Sequence, residues 1–140
     1  HGQSMTGGEW SDMDAQTVRV QRGILAKLGI EPTAEESRLH RAASMGQLPA
    51  EPESFVQAET WLRKLEEANR IRGAYEPAAL AEVLNYVWFR TAMAAVRKMG
   101  GAAWRAYRAS PLAERGAHAS LRRWTVRAAA WKAGFGGGCR

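Results

Sequence analysis

Glycine and proline residues divide this chain into segments that are almost all rich in strong helix formers. Between these breaks Ala, Leu, Glu, Arg and Lys dominate, and β-branched residues are few. No segment sustains the period-two alternation of apolar and polar residues that is typical of a strand. The sequence therefore predicts an all-α protein, a compact bundle of about five helices with a disordered glycine-rich C-terminal tail.

Capping patterns indicate where the helices begin and end. A Ser11-x-x-Asp14 box predicts a first helix over about residues 12–28, closed by Gly29. A second box, Thr33 with Glu36, predicts a short helix that ends near Gly46. Further helices are predicted over about residues 53–70, 77–99 and 111–133, with a segment at 102–109 that extends the fourth helix past a glycine kink.

Apolar residues at helical spacing predict which faces are buried. In the third helix they are Phe55, Ala58, Trp61, Leu62 and Leu65. In the fourth they are Leu80, Leu84, Val87, Trp88, Thr91 and Ala95. In the last they are Ala117, Leu121, Trp124, Ala128 and Trp131.

The length of 140 residues suits one domain. Residues 1–4 resemble the remnant of an affinity tag, so we expect a single domain over residues 5–133 and a flexible tail over 134–140. The single cysteine, Cys139, is typical of a reducing compartment. The opening lacks the apolar segment of a signal peptide, and the most apolar stretch contains charged and polar residues, which predicts a cytoplasmic protein with no membrane association.

Charge is divided unevenly along the chain. Residues 1–87 contain nine Lys and Arg against thirteen Asp and Glu, a net charge of −4. Residues 88–140 contain nine Arg and two Lys against a single acid, Glu114, a net charge of +10. A solvated helix face usually interleaves acidic and basic residues. Because the basic half lacks acidic neighbours, the sequence favours a polyanion-binding surface there.

Arginine suits phosphate recognition because its planar guanidinium donates two parallel hydrogen bonds and stacks on bases. Several arginines recur at intervals of seven residues, which would keep each set on one helix face. Tyr107 lies between two of these arginines and is suited either to base stacking or to packing. The candidate nucleic-acid-binding residues are Arg90, Arg97, Arg105, Tyr107, Arg108, Arg115, Arg122, Arg123 and Arg127.

Two alternatives to a phosphate surface remain open for the basic half: a solvated or subunit-contacting face, and a membrane-surface helix. A further alternative is a helix-turn-helix that reads duplex sequence, for which the stretch RAASMGQLP at residues 41–49 has the turn pattern. The membrane interpretation is weakened because tryptophans such as Trp124 have a folded core to enter. The helix-turn-helix interpretation is weakened because Pro49 and Pro52 fall where a recognition helix would begin.

The sequence lacks a recognisable catalytic or metal-binding motif. His40, His118 and Cys139 are far apart, and no pair has the ligand spacing of a metal site on one helix. Neither a GxxxxGK[ST] loop nor a GxGxxG loop occurs. We therefore expect a protein that is not an enzyme and needs no cofactor or metal.

By its size, helical content over residues 12–133 and division into acidic and arginine-rich parts, the chain resembles the small subunit of multi-subunit CRISPR effector complexes. The resemblance implies a structural role in antiviral defence. Copies of the protein would stack along larger subunits, and basic residues would support guide RNA or target DNA. The alternatives are a duplex-DNA-binding accessory protein of phage packaging or plasmid maintenance, and an interaction module with an acidic protein partner.

Overall fold

The computed structural model describes residues 7–113, with the backbone alone for residues 7–14. This range contains five α-helices and one turn of 3₁₀ helix, and no strand occurs within it, so the predicted all-α class is confirmed. The helices are α1 (Gly7–Lys27), α2 (Ala34–Met45), α3 (Pro52–Arg72), α4 (Pro77–Met99) and α5 (Gly101–Ala109), followed by the 3₁₀ turn Pro111–Ala113. The predicted helix beyond Ala113 and the tail 134–140 lie outside the described residues.

Most of the predicted helix ends are confirmed by their backbone geometry. The Thr33 backbone N–H donates to Glu36 Oε2 at 3.0 Å, and the Glu36 backbone N–H donates to Thr33 Oγ1 at 3.1 Å, so the capping box that begins α2 is complete. Gly29 and Gly46 adopt left-handed φ values of 71° and 67° after α1 and α2. This conformation strains residues with a Cβ, which is why glycine ends both helices.

The predicted start of α1 is wrong. The helix begins at Gly7, upstream of the Ser11-x-x-Asp14 pattern that indicated a start near residue 12. A capping pattern favours a helix start but does not prevent helix formation upstream of it, because serine and aspartate cost only a fraction of a kcal/mol inside a helix, roughly 0.7 at most. The pattern is therefore contained within α1.

The short segment after Gly100 is a separate helix and does not continue α4 past a kink. Gly100 has φ 58° and ψ −135°, which lies outside both helical regions and ends α4. The chain then reverses direction and runs back along α4. Two hydrogen bonds show this: the Trp88 indole N–H donates to the Tyr107 carbonyl at 3.2 Å, and Asn85 Nδ2 donates to the Leu112 carbonyl at 2.6 Å. The helices α4 and α5 thus form an antiparallel hairpin.

The core contains the predicted stripe of α3 in full, since Phe55, Ala58, Trp61, Leu62 and Leu65 are all buried. Four of the six core residues predicted in α4 are buried, while Leu80 and Val87 are partly buried at its edge. The sequence pattern missed Asn85, Phe89 and Ala92, which are also buried. These residues face α5 and the 3₁₀ turn, so α4 is covered from a second side that one apolar stripe does not indicate.

Helix α1 is anchored to this core by its C-terminal end. Leu25 and Leu28 are buried together with Ile30, which follows the helix. One and two turns earlier, Ile24 and Val20 are exposed. Among residues 15–30, whose side chains the structure describes, the buried residues all lie in or beyond the last turn of α1.

Two glycine substitutions test whether the backbone conformation of Gly100 is needed for the chain reversal. A Cβ added at Gly100 or at Gly23 meets no atom within 4 Å, so neither Gly100→Ala nor Gly23→Ala creates a clash. We expect Gly100→Ala to lower the free energy of unfolding by about 1 to 3 kcal/mol, because alanine is strained at this backbone conformation. Gly23 lies inside α1, where alanine should raise the stability by about 0.5 to 1 kcal/mol.

Urea denaturation followed by circular dichroism measures both changes. If Gly100→Ala were as stable as the parent protein, the positive φ at this position would not determine the reversal of the chain.

Candidate nucleic-acid interface

Four exposed cations lie on the hairpin formed by α4 and α5. Arg97 and Lys98 are in the last turn of α4, and Arg105 and Arg108 are in α5. No acidic residue occurs between Val83 and Ala113, and no described acidic side chain pairs with any of the four. We call these four residues the hairpin cations. Within residues 7–113, no carboxylate therefore neutralises these four charges.

The short helix α5 separates its aromatic and cationic residues onto different faces. Ala103 and Tyr107 are buried against α4, and Trp104 is partly buried. Arg105 and Arg108 are three residues apart, so they lie on the same outward face of the helix. Burial of the aromatic face against α4 thus fixes the direction in which the two arginines project.

Lys98 belongs to this cluster although the sequence analysis did not select it. It is exposed beside Arg97 at the end of α4. The seven-residue spacing that indicated candidate arginines does not include Lys98. The lack of acidic residues near Lys98 in the sequence is the signal that could have identified it as a candidate.

Arg90 has a structural role that the spacing argument did not anticipate. Its side chain is half-buried, and Nη2 donates to the Ser44 carbonyl at 2.7 Å in the last turn of α2. The guanidinium also packs close to Gly46, with Nη2 3.0 Å from the position that a Cβ would occupy there, and its central carbon is 6.0 Å from the centre of the Tyr86 ring. A cation at the C-terminal end of a helix interacts favourably with the exposed carbonyls there. Arg90 therefore joins α2 to α4, which sets it apart from the hairpin cations.

Arg90→Gln and Arg97→Gln provide a matched comparison on one helix, seven residues apart. We expect Arg90→Gln to lower the free energy of unfolding by about 1 to 2 kcal/mol, because the charge-assisted hydrogen bond to Ser44 is lost. Arg97 is exposed and has no described partner, so Arg97→Gln should change stability by less than about 0.5 kcal/mol. Equal effects in thermal and urea unfolding would contradict the structural role of Arg90.

Tyr107 packs in the core, the second of the two roles that the sequence left open. Only 7 % of the residue is exposed. Its ring stacks on Trp104, with centroids 5.0 Å apart and an angle of 24° between the planes, and it meets Phe89 edge to face at 5.7 Å. A nucleic-acid base therefore has no open ring face to stack on, and we leave Tyr107 out of the interface proposed below.

The remaining candidates lie outside the described residues: Arg115, Arg122, Arg123 and Arg127. The prediction that arginines seven residues apart share one helix face is nevertheless tested for one pair. The series from Arg108 to Arg115 was expected to remain on one helix face, but α5 ends at Ala109 and the 3₁₀ turn follows. Arg108 therefore does not share a helix with Arg115.

Two ion pairs occur on the described acidic part of the chain, whereas no described carboxylate pairs with the hairpin cations. Lys64 Nζ lies 2.5 Å from Glu36 Oε1 and links α3 to α2. Arg70 donates two hydrogen bonds to Glu67, which lower the pKa of that carboxyl group below its ordinary value. Both pairs are solvent-accessible and contribute little stability, but they neutralise the charges locally.

His40 contacts the core and does not belong to a metal-binding group among the described residues. The Trp61 indole N–H donates to His40 Nδ1 at 3.1 Å, and the two rings meet edge to face at 5.7 Å. Nδ1 can accept this hydrogen bond only when it carries no proton. Burial also lowers the pKa of His40 below its ordinary value, because the charged imidazolium loses hydration.

The lowered pKa predicts that His40 makes stability depend on pH. The neutral imidazole contributes its full stabilisation above the ordinary histidine pKa of about 6.5, and the contribution decreases as the pH falls through that value towards the folded-state pKa. We therefore expect the difference in free energy of unfolding between the parent protein and His40→Gln to shrink from about pH 7.5 to about pH 5. Because both proteins contain His1 and His118, the contributions of these two histidines cancel in the difference in free energy of unfolding. A constant difference in urea unfolding over this range would contradict the prediction.

Neither a metal site nor a membrane span is present in the part of the chain that the structure describes. Over residues 7–113 no three His, Cys, Asp or Glu side chains come together in an arrangement that would hold an ion. The helices in the same range are too short or too polar to cross a bilayer.

Comparisons with protein-family models, curated proteins and solved structures give no significant match.

Proposed function

We propose that this protein is a non-catalytic, nucleic-acid-binding structural subunit of a ribonucleoprotein assembly. In this role the hairpin cations and the arginines beyond Ala113 contact the phosphate backbone of guide RNA or target DNA, as the resemblance to CRISPR effector small subunits implies. The observation that carries the proposal is the exposure of Arg97, Lys98, Arg105 and Arg108 within a stretch, Val83 to Ala113, that contains no acidic residue.

Backbone contact suits these cations better than base readout. Phosphate contacts provide affinity and position a protein on nucleic acid, but they carry no sequence information directly. The two cations of α5 lie on a helix of nine residues. Of the aromatic residues beside them, Tyr107 is buried and Trp104 is partly buried with its ring stacked on Tyr107. This arrangement provides exposed positive charge and little exposed aromatic surface.

The acidic N-terminal part supports a role within a larger assembly. Its negative charge would repel a phosphate backbone, so nucleic acid should approach from the hairpin side. The helices of the acidic part then remain available for neighbouring protein subunits or other copies of this chain. This division of charge favours a subunit that bridges protein and nucleic acid.

A triple substitution with a matched control tests the interface. Arg97, Arg105 and Arg108 are replaced by glutamine in one protein. In the control the same substitution is made at Arg19, Arg38 and Arg63, which are exposed on α1, α2 and α3. Both triples lower the net charge equally, so a general charge effect cancels. If all three hairpin arginines contact phosphate, the slope of log affinity against log salt should fall by about 2 to 3 for duplex DNA. The control should retain the parental slope.

The measurement is fluorescence anisotropy with labelled single-stranded RNA and duplex DNA of equal length. For the parent protein, about six phosphate contacts would reduce the affinity on the order of a thousandfold between 50 and 200 mM salt. Equal losses in both triple variants, or salt-independent binding of the parent protein, would refute the proposed interface.

Purification from native host cells identifies the assembly. Recovery of a discrete short RNA with larger protein subunits supports the effector-complex role. Recovery of duplex DNA with packaging or partition proteins would favour an accessory DNA-binding protein. An acidic protein partner without nucleic acid would favour an interaction module.

A further inference from the structure

An open apolar groove of about 550 Å³ lies between α1 and the rest of the bundle. Its walls are formed by one face of α1 and by the first half of α4, and Leu62 and Leu65 of α3 contribute to its floor. None of the described residues that line it is Asp, Glu, Lys or Arg. A phosphate backbone therefore does not suit this groove, which is distinct from the hairpin cations.

Large aliphatic side chains remain exposed at the opening of this groove. Val20 and Ile24 of α1 are 58 % and 40 % exposed, and Val83 of α4 is 56 % exposed. Isolated apolar residues are common on protein surfaces, but a group of them around one concave apolar site indicates an interaction surface. An amphipathic helix is a natural ligand for such a groove, because its apolar residues recur on one face.

The chain leaves the described structure beside the helix that forms one groove wall. The Leu112 carbonyl accepts its hydrogen bond from Asn85 of α4, and Leu84, the residue before Asn85, lines the groove. Eight steps of chain lead from Ala113 to Leu121, and they span up to about 26 Å when extended. This reach is about twice the diameter of a helix with its side chains, so Leu121 can enter the groove from the end of the 3₁₀ turn.

The sequence that follows has the apolar pattern which this groove requires. Ala117, Leu121, Trp124, Ala128 and Trp131 recur at spacings of three and four residues. Arg122, Arg123 and Arg127 fall between them. A helix with this pattern would place its tryptophans against the aliphatic groove and keep its arginines away from it.

We propose that residues 121–131 of this chain dock in the groove between α1 and α4 through the face that bears Leu121, Trp124 and Trp131. The docking is independent of nucleic acid, so it does not rest on the proposed function. It would cover Val20, Ile24 and Val83 and fix the C-terminal arginines relative to the bundle.

Thiol protection in the full-length protein tests this docking. In a Cys139→Ser background, cysteine is introduced at Ala128 or at Ala130, two alanines about 200° apart around a helix. We expect a cysteine at position 128 to react with a small maleimide roughly tenfold more slowly than one at position 130, since each tenfold corresponds to about 1.4 kcal/mol of protection. Equal reaction rates at the two positions would overturn the proposal.

A second substitution determines whether the protection depends on this groove. Val83→Asp introduces a charge at the groove, and Val56→Asp introduces the same charge on α3 at a valine that is 65 % exposed and does not line the groove. Val83→Asp should abolish the protection at position 128, whereas Val56→Asp should preserve it. If both variants preserve the protection, the segment docks elsewhere and the proposal is wrong.

Circular dichroism checks that each variant is folded, and Ile24→Asp replaces Val83→Asp if the latter unfolds the bundle. Dilution separates docking within one chain from docking between chains. Protection that is independent of protein concentration supports the proposal, and protection that disappears on dilution would assign the groove to a second copy of the chain.

Discussion

The antiparallel packing of α5 on α4 is the constraint on which the rest of this structure depends. It buries α4 from two sides, and two side chains of α4 hold the returning chain through its backbone: Trp88 at the Tyr107 carbonyl and Asn85 at the Leu112 carbonyl. An unpaired buried carbonyl costs about 1 to 3 kcal/mol, so these hydrogen bonds fix the register of the hairpin. The same packing directs the aromatic residues of α5 inward and its arginines outward.

The packing of these helices determines where the charged residues of the chain are exposed. In the acidic part, cations such as Lys64 and Arg70 have carboxylate partners within hydrogen-bonding distance. On the hairpin, the cations follow one another around the turn at Gly100 without an acidic residue between them. The folded chain therefore exposes cations on two adjacent helices, with no described carboxylate paired to them, and a polyanion is the ligand class that such a surface favours.

Local signals in the sequence predicted the helix class, most of the helix ends and the buried stripe of α3, because capping and amphipathic spacing depend on residues close in the chain. The burial of Phe89 was not predicted, and the choice between stacking and packing for Tyr107 was left open, since both depend on a chain reversal that no periodicity encodes. Arg90 was assigned to the interface for the same reason. Its bond to Ser44 joins residues 46 positions apart, and sequence spacing within one helix gives no information about such a partner.

The order in which helices pack has a consequence for how this protein folds. Helix α3 contacts both α2 and α4, and α4 contacts α5, so most of the tertiary contacts join helices that are consecutive in the chain. Contacts of short sequence separation require little loop closure, and helical proteins of this kind fold within microseconds to milliseconds. We expect the region from α2 to the 3₁₀ turn to assemble as one cooperative unit. Helix α1, which is anchored by its last turn, should open first in native-state hydrogen exchange.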